Sequence, residues 1–193
     1  EILTVGIVTI PFSFEGTKRR DSGLAGVERL RKFTDTLLVI PNDKLLDAST
    51  QNTSFLEAFN MVDMVLINAI RGITLLLSGV GDINVDFADV QTIMKGMGKA
   101  VIGRGRAKGK DRAINAVEDA LHGSLMEDTD IRGAKGILVH VNGPKDTSAY
   151  EIQEAMSLIE DMADEDVELI WGATFTESVV DEVAMTVIAT GLA

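Results

Sequence analysis

SFLEAFNMVDMVLINAIRGITLLLSGVGDINVDFADV, residues 54–90, decides how the rest of the chain is read. Ser54 and Glu57 stand in the S-x-x-E spacing of a capping box, which marks a helix start. From Phe55 to Leu77 no Gly or Pro interrupts except Gly72. At helical rise this is a rod of roughly 35 Å, long enough to cross a small domain. Glu57, Asn60, Asp63, Asn68, Arg71, Thr74 and Ser78 recur every three to five residues and share one polar stripe roughly 140° wide. The remaining circumference is apolar, so the rod is expected to be a spine packed on most sides. No uninterrupted run of about 18 apolar residues argues for a membrane span.

The rod ends at Gly79-Val80-Gly81, and Asn84-Val85-Asp86-Phe87-Ala88-Asp89-Val90 follows. Spacing alone accounts for Asp86 as an N-cap and Asp89 as a first-turn acid favoured by the helix dipole.

Upstream, ILTVGIVTI (2–10) and TLLVI (36–40) are aliphatic, β-branched runs, each stopped by a proline. They read as strands of a parallel sheet buried on both faces. A helix is expected between them from about 21 to 34, with Leu24, Val27, Leu30 and Phe33 on its inner side. Asn42-Asp43-Lys44 opens a short helical turn. Downstream, a short helix over 87–97 leads into a strand at 100–106 and a helix at 111–122. A strand at 136–141, a helix at 148–162 and strands at 167–173 and 182–190 complete the chain. The fold class is therefore α/β. The end of a parallel-sheet domain (1–53) leads into a central helix (54–78) and a C-terminal α+β domain (79–193) with about four strands in a mixed sheet.

Cysteine is absent, which excludes disulfides and thiolate metal sites and is compatible with a reducing cytosol. The two histidines, His122 and His140, are read as structural, so no metal site is assigned. Of 30 acidic residues, 11 fall in 151–193, where there is no Lys or Arg. That end repels nucleic acid and anionic membranes. The one basic cluster, Gly103 to Lys110, puts Arg104, Arg106, Lys108 and Lys110 on one face if extended. It lacks the interleaved aromatics that stack bases. No secretory signal is visible. The sequence begins at Glu1, at the threshold of a buried strand, so a longer protein is expected.

PFSFEGTKR (11–19), TLLVIPNDKLL (36–46), the 54–78 rod, NVDFADV (84–90) and VIATG (187–191) together resemble the tubulin/FtsZ family, in its order and at its spacing. IWGA (170–173) leans toward archaeal members. The family's glycine-rich phosphate loop would lie before residue 2 and has no counterpart here, nor has its flexible C-terminal tail. The chain thus resembles the second half of the family's core.

The resemblance implies a GTPase of cell division, cytoplasmic at the division site, that binds GTP/GDP. Glu15 and Arg19 match positions at the ribose, Asn42 one near the base, and Phe59 and Asp63 the stacking and base-reading positions. Arg20 is one place out of register. Guanine's adjacent N–H donors suit an acceptor-only carboxylate, and Phe59 and Asp63, at i and i+4, share a helix face. Without the resemblance, Asp63 reads as a solvated acid and Phe59 as a core aromatic. Asp86 and Asp89 match the family's catalytic acids, with Asn84 holding the loop. They act on GTP bound by the next subunit of a head-to-tail homopolymer, where Mg2+ accompanies that nucleotide. Other expected partners are the missing N-terminal half on another chain or a swapped copy. Nucleic acid and direct membrane insertion are not expected. The chain alone is expected to be inactive. A non-catalytic assembly or capping module is the alternative.

Overall fold

A computed structural model describes residues 2–47, 49, 52–123, 125–126 and 131–192. Six strands form one sheet in the order β1-β2-β3-β6-β4-β5. They are β1 (Val5–Ile10), β2 (Thr36–Pro41), β3 (Gly98–Lys108), β4 (Gly136–Pro144), β5 (Glu168–Thr176) and β6 (Glu182–Thr190). β1 and β2 are parallel and flank α1 (Thr17–Leu30), the expected strand–helix–strand unit. β3, β6, β4 and β5 make the mixed four-stranded part, with β6 antiparallel to both β3 and β4. β2 joins the two parts through only three residue pairs, Thr36–Gly98 to Leu38–Ala100. The parallel end and the mixed sheet are therefore one continuous sheet.

Alternation along the strands feeds two cores, as a period of two requires. Ile137, Val139 and Val141 face α5 (Arg112–His122) and α6 (Ala149–Met162) in one core. Leu138, Ile188, Ala100 and Ile102 face α3 (Phe55–Leu77) and α4 (Phe87–Met94) in the other. Two glycines of the basic cluster admit α5 to the sheet. A Cβ on Gly105 would stand 2.0 Å from the Ala116 carbonyl oxygen, and one on Gly103 2.2 Å from that of Ala120. The hydroxyl of Thr190 donates to the Ile93 carbonyl (2.6 Å), and that of Thr36 donates to the Met94 carbonyl. These buried bonds fix the C-terminal end of α4 to the sheet.

Three expectations change. The first helix starts at Thr17, because Gly16 supplies an N-cap at φ 103°, and gives way to a 3-10 turn over Arg31–Phe33. Its expected inner face is not buried: Leu24 is 46% and Phe33 79% exposed. The first strand starts at Val5. Third, α3 has the expected capping box, yet it buries only Ala58, Val62, Ala69, Gly72 and Leu76. Phe55, Leu56, Met64, Ile67 and Ile70 are exposed, because the sheet covers one side of the rod and, among the described residues, no second layer covers the other. By length and composition α3 could pass for a membrane span, and one stripe of it docks on the sheet.

Candidate functional site

The residues singled out by sequence gather at the two ends of α3. Parallel strands β1 and β2 deliver their C-terminal ends to one edge, where open α/β sheets place ligand crevices. After β1, a 3-10 turn over Ser13–Glu15 brings Glu15 back onto its own loop. Its carboxylate accepts from the Phe12 backbone N–H (2.9 Å) and pairs with Arg19 (3.2 Å). After β2, Asn42 opens α2 (Asn42–Asp47) and is buried at 4% exposure. Its Oδ1 has no hydrogen-bond partner. A buried acceptor left unpaired is costly, and a donor reaching it from a bound molecule or water would relieve that cost.

Phe59, in the first half of α3, meets Phe12 edge-on at 5.2 Å and Phe55 at 4.9 Å, with Phe14 at 6.4 Å. It is half-buried as one wall of this aromatic group. Asp63 lies one turn further on, exposed to solvent. Glu15, Arg19 and Phe59 are thus held on one surface by the Phe12–Glu15 turn.

Sequence reasoning missed the residue that clamps this end. Asp43 accepts from the Ser13 N–H (2.8 Å) and from the Arg20 guanidinium (2.6 Å), tying the loop after β1 to the start of α2. Burial pushes its pKa up, but the Ser13 N–H and Arg20 outweigh this and hold it below the ordinary carboxylate value. Arg20 therefore has a structural partner. No local signal marked Asp43, because its partners lie 30 and 23 positions away in the chain.

At the other end of α3 the acidic loop is fastened to the sheet edge. Ile83 and Ala173 of β5 form an antiparallel bridge, and the Asp82 carboxylate accepts from the Phe175 N–H (2.7 Å). A Cβ on Gly172 would lie 2.3 Å from a Leu76 methyl and 2.8 Å from the Ile83 carbonyl oxygen, so the glycine of IWGA lets loop and helix end approach. The Asn84 side chain clasps Gly81, accepting from its N–H (3.0 Å) and donating to its carbonyl (2.7 Å). Asp86 is the N-cap of α4 and accepts from the Ala88 N–H at 3.4 Å, a long bond. Asp89 lies in the first turn, and both acids are exposed. The two carboxylates therefore sit at the positive end of a helix, on a loop pinned by Asp82, Asn84 and the β5 bridge. No group of three or more potential metal-ligating side chains occurs among the described residues.

About 27 Å of helix, at 1.5 Å per residue, separates Phe59 from Leu77. The acids cannot reach a ligand held by Phe59 and Asp63 of the same chain.

Residues 98–193 match the family described as "FtsZ family, C-terminal domain". The chain is 44% identical over 192 residues to the cell division protein FtsZ of Magnetospirillum gryphiswaldense, covering all of this chain and 34% of that protein. It is also 44% identical to FtsZ of Wolbachia pipientis, covering 61% of that protein. The fold superposes on an empty FtsZ dimer of M. jannaschii with a TM-score of 0.92 and 43% identity, over 98% of this chain and 55% of the other. The chain thus spans about a third of the first relative and three fifths of the second. These identities do not separate archaeal members from the others. The chain belongs to the FtsZ family, corresponding to the second half of its core, with the family's C-terminal domain at residues 98–193.

Proposed function

We propose that the chain is part of a GTP-hydrolysing, filament-forming cell-division protein, and that its acidic loop activates hydrolysis of GTP bound by the next subunit. The separation of the two candidate surfaces along α3 carries this reading. Opposite ends of one rod come together only when one copy stacks head-to-tail on another, and such a contact propagates into an open filament. In this reading residues 1–53 complete a GTP-binding domain, 54–78 connect, and 79–193 activate.

The residues present fit the base and ribose side of GTP. Asn42 Oδ1 is an acceptor in want of a donor, Asp63 is a free two-oxygen acceptor, and Phe59 offers an aromatic wall. Glu15 and Arg19 stand at the ribose. Mg2+, held with the neighbouring subunit's nucleotide, supplies charge neutralisation at the phosphates. Asp86 and Asp89 orient and polarise the attacking water, while Asn84 keeps the loop in register. Phosphoryl transfer needs mostly such positioning. The chain alone has no phosphate cradle among its described residues and is inactive by itself.

The test adds this chain to a full-length FtsZ whose own two loop acids are replaced by alanine. The chain should restore phosphate release at the subunits on which it docks, and its Asp86→Ala, Asp89→Ala version should not. Equal stimulation by both versions would leave the acids as helix caps. Loss of polymer mass with neither restoring hydrolysis would favour the non-catalytic capping module.

A further inference from the structure

Between α3 and the sheet lies a small cleft lined by Asn68 and Arg71 of α3, Arg104 of β3, His140 and Asn142 of β4, and Thr186 of β6. Its volume is about 110 Å³. One water needs roughly 10–15 Å³ in this measure, so the cleft admits a small ion and its hydration but not a nucleotide. Two of its side chains carry buried atoms with no partner, Asn68 Nδ2, a donor, and Asn142 Oδ1, an acceptor. Among the described residues neither Arg71 nor Arg104 has an ion-pair partner. Glu182, the acid whose charge acts on Arg104, is paired with Lys108 at 3.9 Å. Burial, then the charges of Arg106 and Arg71, hold Arg104 below its ordinary pKa and outweigh the opposing pull of Glu182. Burial likewise lowers His140, whose Nε2 lies 3.2 Å from the Thr174 hydroxyl, so at neutral pH it brings no charge to the cleft.

We propose that this cleft is a binding site for a small protonated oxyanion, hydrogenphosphate being the simplest, held through its oxygens by Arg71, Arg104 and Asn68 and through its hydroxyl by Asn142. The donors outnumber the acceptors, as an oxyanion requires, and guanidinium groups suit its geometry. The single orphaned acceptor selects an anion that keeps a proton. Such an ion would tie the C-terminal half of α3 to β3 and β4, across a junction that lacks a direct ion pair among the described residues. The proposal stands whether or not the chain binds GTP.

The test is calorimetric titration of the full chain with potassium phosphate and, separately, potassium sulfate, at constant ionic strength set with chloride and at neutral pH. Phosphate should bind saturably at one site, with sulfate, which has no proton to offer Asn142, about tenfold weaker. Arg104→Gln, or Arg71→Gln should the first fail to fold, should weaken phosphate at least tenfold. Lys99→Gln, on the same strand but roughly 16 Å along it and outside the cleft, should change it less than about twofold. No saturable phosphate binding up to about 20 mM, beyond the weakest affinity worth calling a site, overturns the proposal. So does sulfate binding as well as phosphate, or a Lys99→Gln loss equal to that of Arg104→Gln, which would mean a diffuse basic surface.

Discussion

The chain contains two aliphatic strand runs of nearly the same composition with opposite fates. GILVHV, the first two thirds of β4, is buried at every position. VGIVTI, which is β1, is fully buried only at Ile10. The difference lies in what surrounds them. β4 has β6 and β5 on its flanks, α5 and α6 on one face and α3 and α4 on the other. β1 is an edge strand, and its helix α1 has no buried residue. Apolar sequence states what a strand would bury, and the neighbours decide whether it does. The same contrast runs along α3, whose sheet-facing stripe is buried while Met64, Ile67 and Ile70 are exposed. Residues 98–192 are covered by α5 and α6 on one face and by α3 and α4 on the other, whereas beside β1 the helix α1 buries no residue.

The sharpest break of this comparison is a pair of core truncations. Ile137→Ala removes a side chain that is 0% exposed in the middle of the sheet. It should cost about 2–5 kcal/mol, the range for large-to-small changes in a packed core. Ile7→Ala, on half-buried β1, should cost well under half as much. Urea denaturation followed by circular dichroism measures both. Equal losses would mean that the two parts of the sheet share one fully closed core.

A smaller effect tests the polar side of the same region. Arg112 is buried and holds three carboxylates: Glu151 at 2.9 Å, Asp146 at 3.1 Å and Asp181 at 3.4 Å. It thereby ties the starts of α5 and α6 to the approach to β6. Asp146 and Asp181 are mostly solvated, so Arg112→Ala should cost about 1–3 kcal/mol, below a fully buried network. The pH dependence carries a sign. Burial pushes Glu151 up, but the Ser148 N–H and Arg112 outweigh it and depress its folded pKa. A depressed carboxylate stabilises above its unfolded pKa, about 4.3, and that contribution is lost as pH falls through the lower folded value. Stability of the wild type should fall below about pH 4.3, and the variant should lose less there. Asp43 is depressed for similar reasons, but it clamps the poorly covered end. Its protonation should loosen the loop after β1 and leave the global midpoint unmoved, as amide exchange would resolve.

These contrasts also divide what the sequence could disclose from what it could not. Ser54–Glu57 and Ser148–Glu151 both form complete capping boxes, because a cap is decided by four neighbouring residues. The strand–helix order was legible for the same reason, since period and turn residues are local. The pairing of β2 with β3 was not, because three residue pairs across 62 positions of chain leave no local trace. Gly103 and Gly105 read as part of a strand and of the basic cluster, yet they are the floor on which α5 rests. At the candidate site, Glu15, Asn42, Phe59 and Asp63 could be named from motifs, whereas Asp43 and Asp82 could not. Their work is to hold backbone N–H groups that fold brings near, and nothing in IPND or GDIN says which.

The finest test uses those two capping boxes, which are chemically alike and sit in unlike surroundings. In each, the serine hydroxyl accepts from the glutamate N–H at 3.2 Å and the glutamate carboxylate accepts from the serine N–H, at 2.6 Å for Ser54 and 2.8 Å for Ser148. Removing such a cap with Ser→Ala costs about 1 kcal/mol wherever the capped turn must be ordered for the molecule to be folded. The first turns of α6 bury Ile152, Ala155 and Met156 in the core beside α5, so that turn cannot fray alone. Ser148→Ala should therefore lower global stability by the full amount. The first turn of α3 carries Phe55 and Leu56, both largely exposed, and its first buried residue is Ala58. It can open without disturbing the sheet, so Ser54→Ala should leave the denaturation midpoint where it was and instead speed amide exchange over the Phe55–Phe59 turn. Equal midpoint shifts in the two variants would mean that the exposed end of α3 is bound into the same cooperative unit as α6, and that the poorly covered half of the molecule is more firmly held than its burial implies.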